Sequence, residues 1–244
     1  MIVINAAMAH QLNEFKAQID ALVNEGMEQE EALYKVLKET IIASRNIRFE
    51  GDGYSEEWRE EAARRGLTNI CHVPEALMKF NSPQSRNVLI GEKIFNENEL
   101  NCRIEVELEK YTKKVQIESR IIGDLAINHI VPTAVTYQNR LLENLRGLRE
   151  TFTPEEYEIL GADRKELVKE IQLHILAIKR LVNEMTEARK VANHLGSQVE
   201  KAFSYEENVS PYLAKIREHI DELEMEIDDE IWPLPKYREL LFTK

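Results

Sequence analysis

Two kinds of side chain stand at spacings that could support chemistry: histidines four residues from a glutamate, and arginines gathered near short turns. His10 with Glu14 and Glu170 with His174 are i, i+4 pairs, so each would present two metal-ligating groups on one helix face. Neither has a second pair in view. A helical-bundle metal centre needs two facing Glu-x-x-His pairs, and the sequence has none. His174 also falls on an apolar seam, where a partly buried histidine bonded to a neighbouring side chain is the plainer expectation. Zinc is disfavoured because Cys71 and His72 are adjacent rather than paired in spacing, and Cys102 lies in another element. Arg45, Arg48, Arg64, Arg65, Arg140, Arg146 and Arg149 could grip phosphate or carboxylate, with ordinary ion pairing as the default.

Other chemistries fail on their own requirements. Gly51-Asp52-Gly53 supplies the glycines of a phosphate loop without the lysine and helix that must follow, so it reads as a turn. No serine has glycine on both sides at nucleophile-elbow spacing. The acidic run Glu222, Glu224, Glu226, Asp228, Asp229 and Glu230 alternates with Leu223, Met225 and Ile227, the pattern of a solvated helix face. No catalytic, cofactor-binding or metal-binding residue is therefore assigned, and no cofactor is expected in this chain.

Composition bounds the elements that could position such groups. With 244 residues and 43% hydrophobic content the chain can bury a substantial core, and 9 glycines and 7 prolines favour long helices over many turns. A net charge of −12 argues against nucleic acid, because phosphate binding draws its affinity from clustered lysine and arginine. No run approaches the roughly 20 apolar residues of a membrane span, and the opening segment has no basic leader. Two cysteines are too few for a disulfide framework, which fits a reducing cytoplasm.

Along the chain, Ile4, Met8, Leu12, Phe15, Ile19 and Leu22 keep helical spacing up to Gly26, and Ala32, Leu33, Val36, Leu37 and Ile41 do so in a second helix. Ser55 is placed to cap a short helix ending at Gly66. Residues 68–96, with Pro74 and Pro83, read as short helical pieces in loops. Asn96 and Glu99 form a capping pair ahead of a long helix that Pro132 should kink. Thr153, Pro154 and Glu156 open another element. A cap at Asp163 then starts a helix running to about Phe203, roughly 60 Å at 1.5 Å per residue.

Ile171, His174, Ile178, Leu181, Met185, Ala188, Ala192, Leu195, Val199 and Ala202 form a heptad seam on that helix. Ser210 and Pro211 begin a last long helix as N-cap and N1, and Leu213, Ile216, Ile220, Leu223 and Ile227 repeat the spacing. The two seams should pair antiparallel, with Ile220 and Leu223 facing Leu181, Met185 and Ala188, and with Glu222 and Glu226 on the outer face. The expected architecture is all-α, with a long antiparallel, coiled-coil-like helical-hairpin arm. Three segments are expected: helical residues 1–95, a long kinked helix at 96–152, and the arm at 153–244.

The block RFEGDGYSEEWREEAARRGLTN at residues 48–69 combines Gly51, Gly53, Tyr54, Ser55, Trp58, Ala62, Arg65, Gly66 and Leu67 in one order. A second block carries Glu105, Glu118, Asp124, Ala126, Ile130, Pro132, Ala134 and Tyr137. Together they resemble the C-terminal part of type III glutamine synthetases. That resemblance implies a parent enzyme joining ammonia to glutamate with ATP and magnesium, whose metal, nucleotide and ammonium residues lie upstream of the region matched here. It also implies that this chain begins just past the active site with a helix taken from its partner surface. Its expected role is packing behind its own catalytic domain and contact with neighbouring subunits of a homo-oligomer, in the cytoplasm and without nucleic acid or membrane. The rival reading is a free-standing coiled-coil adaptor.

Overall fold

A computed structural model describes residues 2–241, with the side chains of Tyr237 and Arg238 outside the description. The described residues are helical with no strand, arranged in two compact units, Met1–Glu107 and Leu108–Lys244.

In the first unit, α1 (Ile2–Asn24) and α2 (Gln29–Ala43) pack together, and α1 also packs on α5 (Pro83–Gly91). α3 (Glu56–Arg64) begins where Ser55 accepts a hydrogen bond from the Trp58 amide, as its position predicts. Gly26 at φ 98° and Gly66 at φ 70° end α1 and α3 in the left-handed region that only glycine enters freely. α4 (Val73–Lys79) and α5 are the short pieces expected around Pro74 and Pro83, each with proline in its first turn. Ala6, Ala32, Val36, Ala62, Leu89, Leu100 and Ile104 are buried in this unit.

α6 (Glu97–Leu125) starts on the predicted reciprocal cap, with the Asn96 amide donating to Glu99 and the Glu99 amide donating to Asn96. The expected disruption falls one turn before Pro132 rather than at it. Residues Ala126–Ile130 form a wider π-type turn in which the Val131 amide donates to the Ala126 carbonyl. A proline cannot donate to the carbonyl four residues back, and one wide turn ahead of it relieves the clash. α7 (Val131–Thr151) then continues, and α8 (Pro154–Leu160) opens on a full capping box between Thr153 and Glu156.

α9 (Ala162–His194) corrects two expectations. Its N-cap is Gly161, without a side-chain bond, and Asp163 lies inside the first turn, where a carboxylate meets the positive end of the helix dipole. It also stops at His194 instead of running to Phe203. Leu195 turns extended at ψ 137°, and Ser197 accepts from the Glu200 amide to cap α10 (Gln198–Asn208). A serine that offers its oxygen to a backbone amide three residues on competes with continuing the helix. α11 (Ser210–Glu226) has Val209 as its N-cap and so begins one residue earlier than the expected Ser210 cap implied, and a four-residue α12 (Tyr237–Leu240) comes last.

α9 and α11 form the most extensive helix pair, and the seams do meet in an antiparallel sense. Their register differs from the expected one. His174 touches His219, and the charges of Glu170 and His174 act on Glu226, so Ile220 and Leu223 lie level with the Ile171 to Ile175 stretch instead of with Met185 and Ala188. The resulting core joins Ile171, Ile175, Ile178, Leu181, Met185, Ile216, Leu223 and Trp232 with Val115, Ala126, Ile130 and Ala134 of the preceding helices.

Candidate functional site

The arginine-rich stretch of the first unit folds into a single cleft. After α2 the chain makes a tight turn over Ser44–Ile47, and Arg48 follows in an extended conformation. The Gly51-Asp52-Gly53 segment is a turn as expected, with Asp52 accepting from the Tyr54 amide at 2.9 Å. α3 returns so that Arg45, Asn46, Arg48, Glu50, Arg64 and Arg65 line a cleft of about 690 Å³. Four of the seven arginines singled out in the sequence are thereby brought together. Arg140 is instead paired with Asp228 at 3.5 Å in the second unit.

Arg65 is the fixed member of this group. Its guanidinium bonds Glu61 at 2.5 Å and donates to the carbonyls of Arg48 at 2.7 Å and Asn46 at 3.3 Å, while lying over the rings of Phe49 and Trp58. Those rings stack with centroids 4.4 Å apart. Arg64 also donates to Glu61 through Nε and Nη2, and the hydrogen bonds from Arg64 and then Arg65 hold the Glu61 carboxyl down at about 2. Arg45 and Arg48 are exposed, and among the described residues no carboxylate pairs with either. The Phe49, Trp58 and Arg65 stack was not foreseen from the sequence. Its one signal was the spacing of Trp58 and Arg65, seven residues apart and so two turns along one helix face.

The histidine pairs resolve differently. His10 bonds Glu92 at 2.8 Å, with Glu14 at 3.5 Å, so its partner comes from another helix. His174 meets His219 at 3.1 Å, edge to face, which is the neighbour-bonded histidine its seam position implied. Burial first, and then His174, push the His219 pKa down. Glu226 corrects the outer-face assignment: its Oε2 is buried without a hydrogen-bond partner, and burial is the chief cause of its raised pKa. Cys71 and Cys102 are exposed free thiols. Among the described residues no three histidine, cysteine or acidic side chains gather as a metal site, and no helix is long and apolar enough to cross a membrane.

A second feature of the first unit is apolar. Ala6 is the one buried residue of α1, while Ile4, Met8 and Leu12, half of the expected stripe, are 60–69% exposed. Beside them a cleft of about 360 Å³ is lined by Ile2, Val3, Leu77, Phe80, Phe95 and Ile104 among others.

Residues 32–149 match the family model described as the glutamine synthetase C-terminal domain. Over its full 244 residues the chain is 73% identical to a glutamine synthetase of Bacteroides fragilis and covers 34% of that protein. It is 28% identical to a type-3 glutamine synthetase of Dictyostelium discoideum, again along the whole chain and 33% of the relative. A glutamine synthetase of Butyrivibrio fibrisolvens is 28% identical across 89% of the chain and 31% of its own length. The chain thus spans about a third of the curated relatives it matches.

Proposed function

We infer that this chain, whose residues 32–149 match the glutamine synthetase C-terminal domain, serves as the packing and assembly region of such an enzyme and performs no catalysis by itself. In the whole protein the reaction would join ammonia to glutamate with ATP and magnesium, at residues in the part of the relatives that this chain does not match. Its partners would be its own catalytic domain and neighbouring subunits of a homo-oligomer.

The observation that carries this reading is the uncovered apolar face of α1. A 23-residue helix that buries one alanine and leaves Ile4, Met8 and Leu12 in water has little reason to persist alone. Contiguous exposed apolar surface marks a contact site, and each buried Å² returns roughly 25 cal/mol. The adaptor alternative is the weaker one, because an adaptor working by helix pairing needs an open heptad seam and α11 already fills that of α9.

Two measurements test the reading. The purified chain, given glutamate, ammonia, ATP and magnesium, is expected to form no glutamine, and turnover would overturn its inactivity. Placed in the full-length enzyme, Met8→Glu with Leu12→Glu is expected to lower both assembly size and activity. An unchanged assembly with full activity would remove the packing role.

A further inference from the structure

We propose that the arginine cleft of the first unit is a binding site for a small phosphate-class oxyanion, with Arg45 and Arg48 as its ligand-gripping residues and Arg65 as the residue that positions them. This proposal stands apart from the packing role, which rests on the apolar face of α1.

Charge is the first argument. The chain carries a formal charge of −12, yet four arginines line this cleft against Glu50 in the lining and Glu61, which holds Arg64 and Arg65, and that leaves an excess of positive charge. Like charges gather against their mutual repulsion, and an anion between them relieves it.

The second argument is the division of labour among the four. Arg64 and Arg65 are committed to Glu61, whereas Arg45 and Arg48 line the cleft with no carboxylate on them among the described residues. Each fork offers donors in the geometry that matches two oxygens of a phosphate.

Preorganisation is the third. Arg65 donates to the Arg48 and Asn46 carbonyls and is itself held by Glu61 and by the Phe49 and Trp58 rings. The backbone that carries Arg45 and Arg48 is thereby pinned before any ligand arrives, which lowers the entropy lost on binding. A cleft of about 690 Å³ suits a small molecule, since such sites run to roughly 300–1,000 Å³.

Isothermal calorimetry on the full chain at constant ionic strength tests this with inorganic phosphate, pyrophosphate and adenosine monophosphate. These probes separate a free oxyanion from one carried on an organic group. Saturable binding of at least one probe is expected, weakened about tenfold or more in Arg45→Gln/Arg48→Gln and kept in Arg146→Gln/Arg149→Gln. Arg45 and Arg48 are exposed, so the variant should keep the wild-type circular dichroism. Equal weakening in both double variants would reduce the effect to general charge and overturn the site, as would the absence of binding by all three probes. A response to a polyglutamate peptide alone would assign the cleft to an acidic protein segment and overturn it as well. Arg65→Lys, which keeps the charge but loses the fork, should weaken binding and also shift Trp58 fluorescence. Unchanged affinity there would remove the positioning role.

Discussion

The two units bury apolar surface to different extents, although the second also leaves some exposed, Leu173, Leu176 and Val191 of α9 among them. The second joins side chains from α6, α7, α9, α10 and α11 into one continuous core, and the largest fully buried one, Tyr205, has its hydroxyl bonded to Asn193 at 2.9 Å. The first buries Ala6, Ala32 and Ala62 with Val36, Leu89, Leu100 and Ile104, and leaves Ile4, Met8, Leu12, Ile41 and Ile42 more than half exposed. A helix pattern thus predicts which residues form a stripe and not whether anything covers it. The facing seams of α9 and α11 exclude solvent from one another, whereas Ile4, Met8 and Leu12 of the α1 stripe stay exposed.

Substitutions can break this contrast. The largest effect is expected for Ile216→Ala, which empties a fully buried position between α9 and α11 and should cost about 2–5 kcal/mol by urea unfolding. A shift like that of a surface residue would mean that this seam is loose. Tyr205→Phe should cost less, about 1–2 kcal/mol, because it leaves the Asn193 side chain short of one donor while keeping the ring.

Glu226→Gln should have the opposite sign, stabilising by on the order of 1 kcal/mol at neutral pH, because it replaces a partly desolvated charge. The pH dependence follows from the direction of the shift. A carboxyl whose folded pKa is raised stabilises the fold most below its ordinary 4.5 and loses that contribution as pH rises through the folded value. The gain from Glu226→Gln should therefore vanish in acid and grow toward neutrality. His219 runs the other way: its folded pKa is lowered from 6.5, so its contribution is complete above 6.5 and lost as pH falls through the folded value. His219→Gln should flatten the acid side of the stability profile, and an unchanged profile would mean that His174, Glu218, Arg180 and Glu222 around it compensate fully.

The smallest effect is expected for Leu12→Ser in the isolated chain, within about 0.5 kcal/mol of neutral, because the side chain is already in water. A cost of several kcal/mol would show that α1 is covered in solution.

Local physics made much of the fold legible. Helix starts at Ser55, Asn96 and Thr153 and stops at Gly26 and Gly66 follow from single side chains or from the absence of one, so reading them needs no knowledge of neighbours. The apolar spacing of α9 and α11 likewise identified Ile171, Ile178, Met185, Ile216 and Leu223 as core. The break at Leu195 was also written locally, in Gly196, Ser197 and Glu200, but the continuing heptad spacing through Val199 and Ala202 outweighed it.

What the chain alone left open depends on which helix faces which. Only the tertiary structure put His219 against His174, buried one carboxylate oxygen of Glu226, and set four arginines around one cleft. Periodicity fixes the angle of a side chain around its own axis. Register, burial and the meeting of residues far apart in sequence are set by the surface that packs against it, and that information is carried by the whole chain at once.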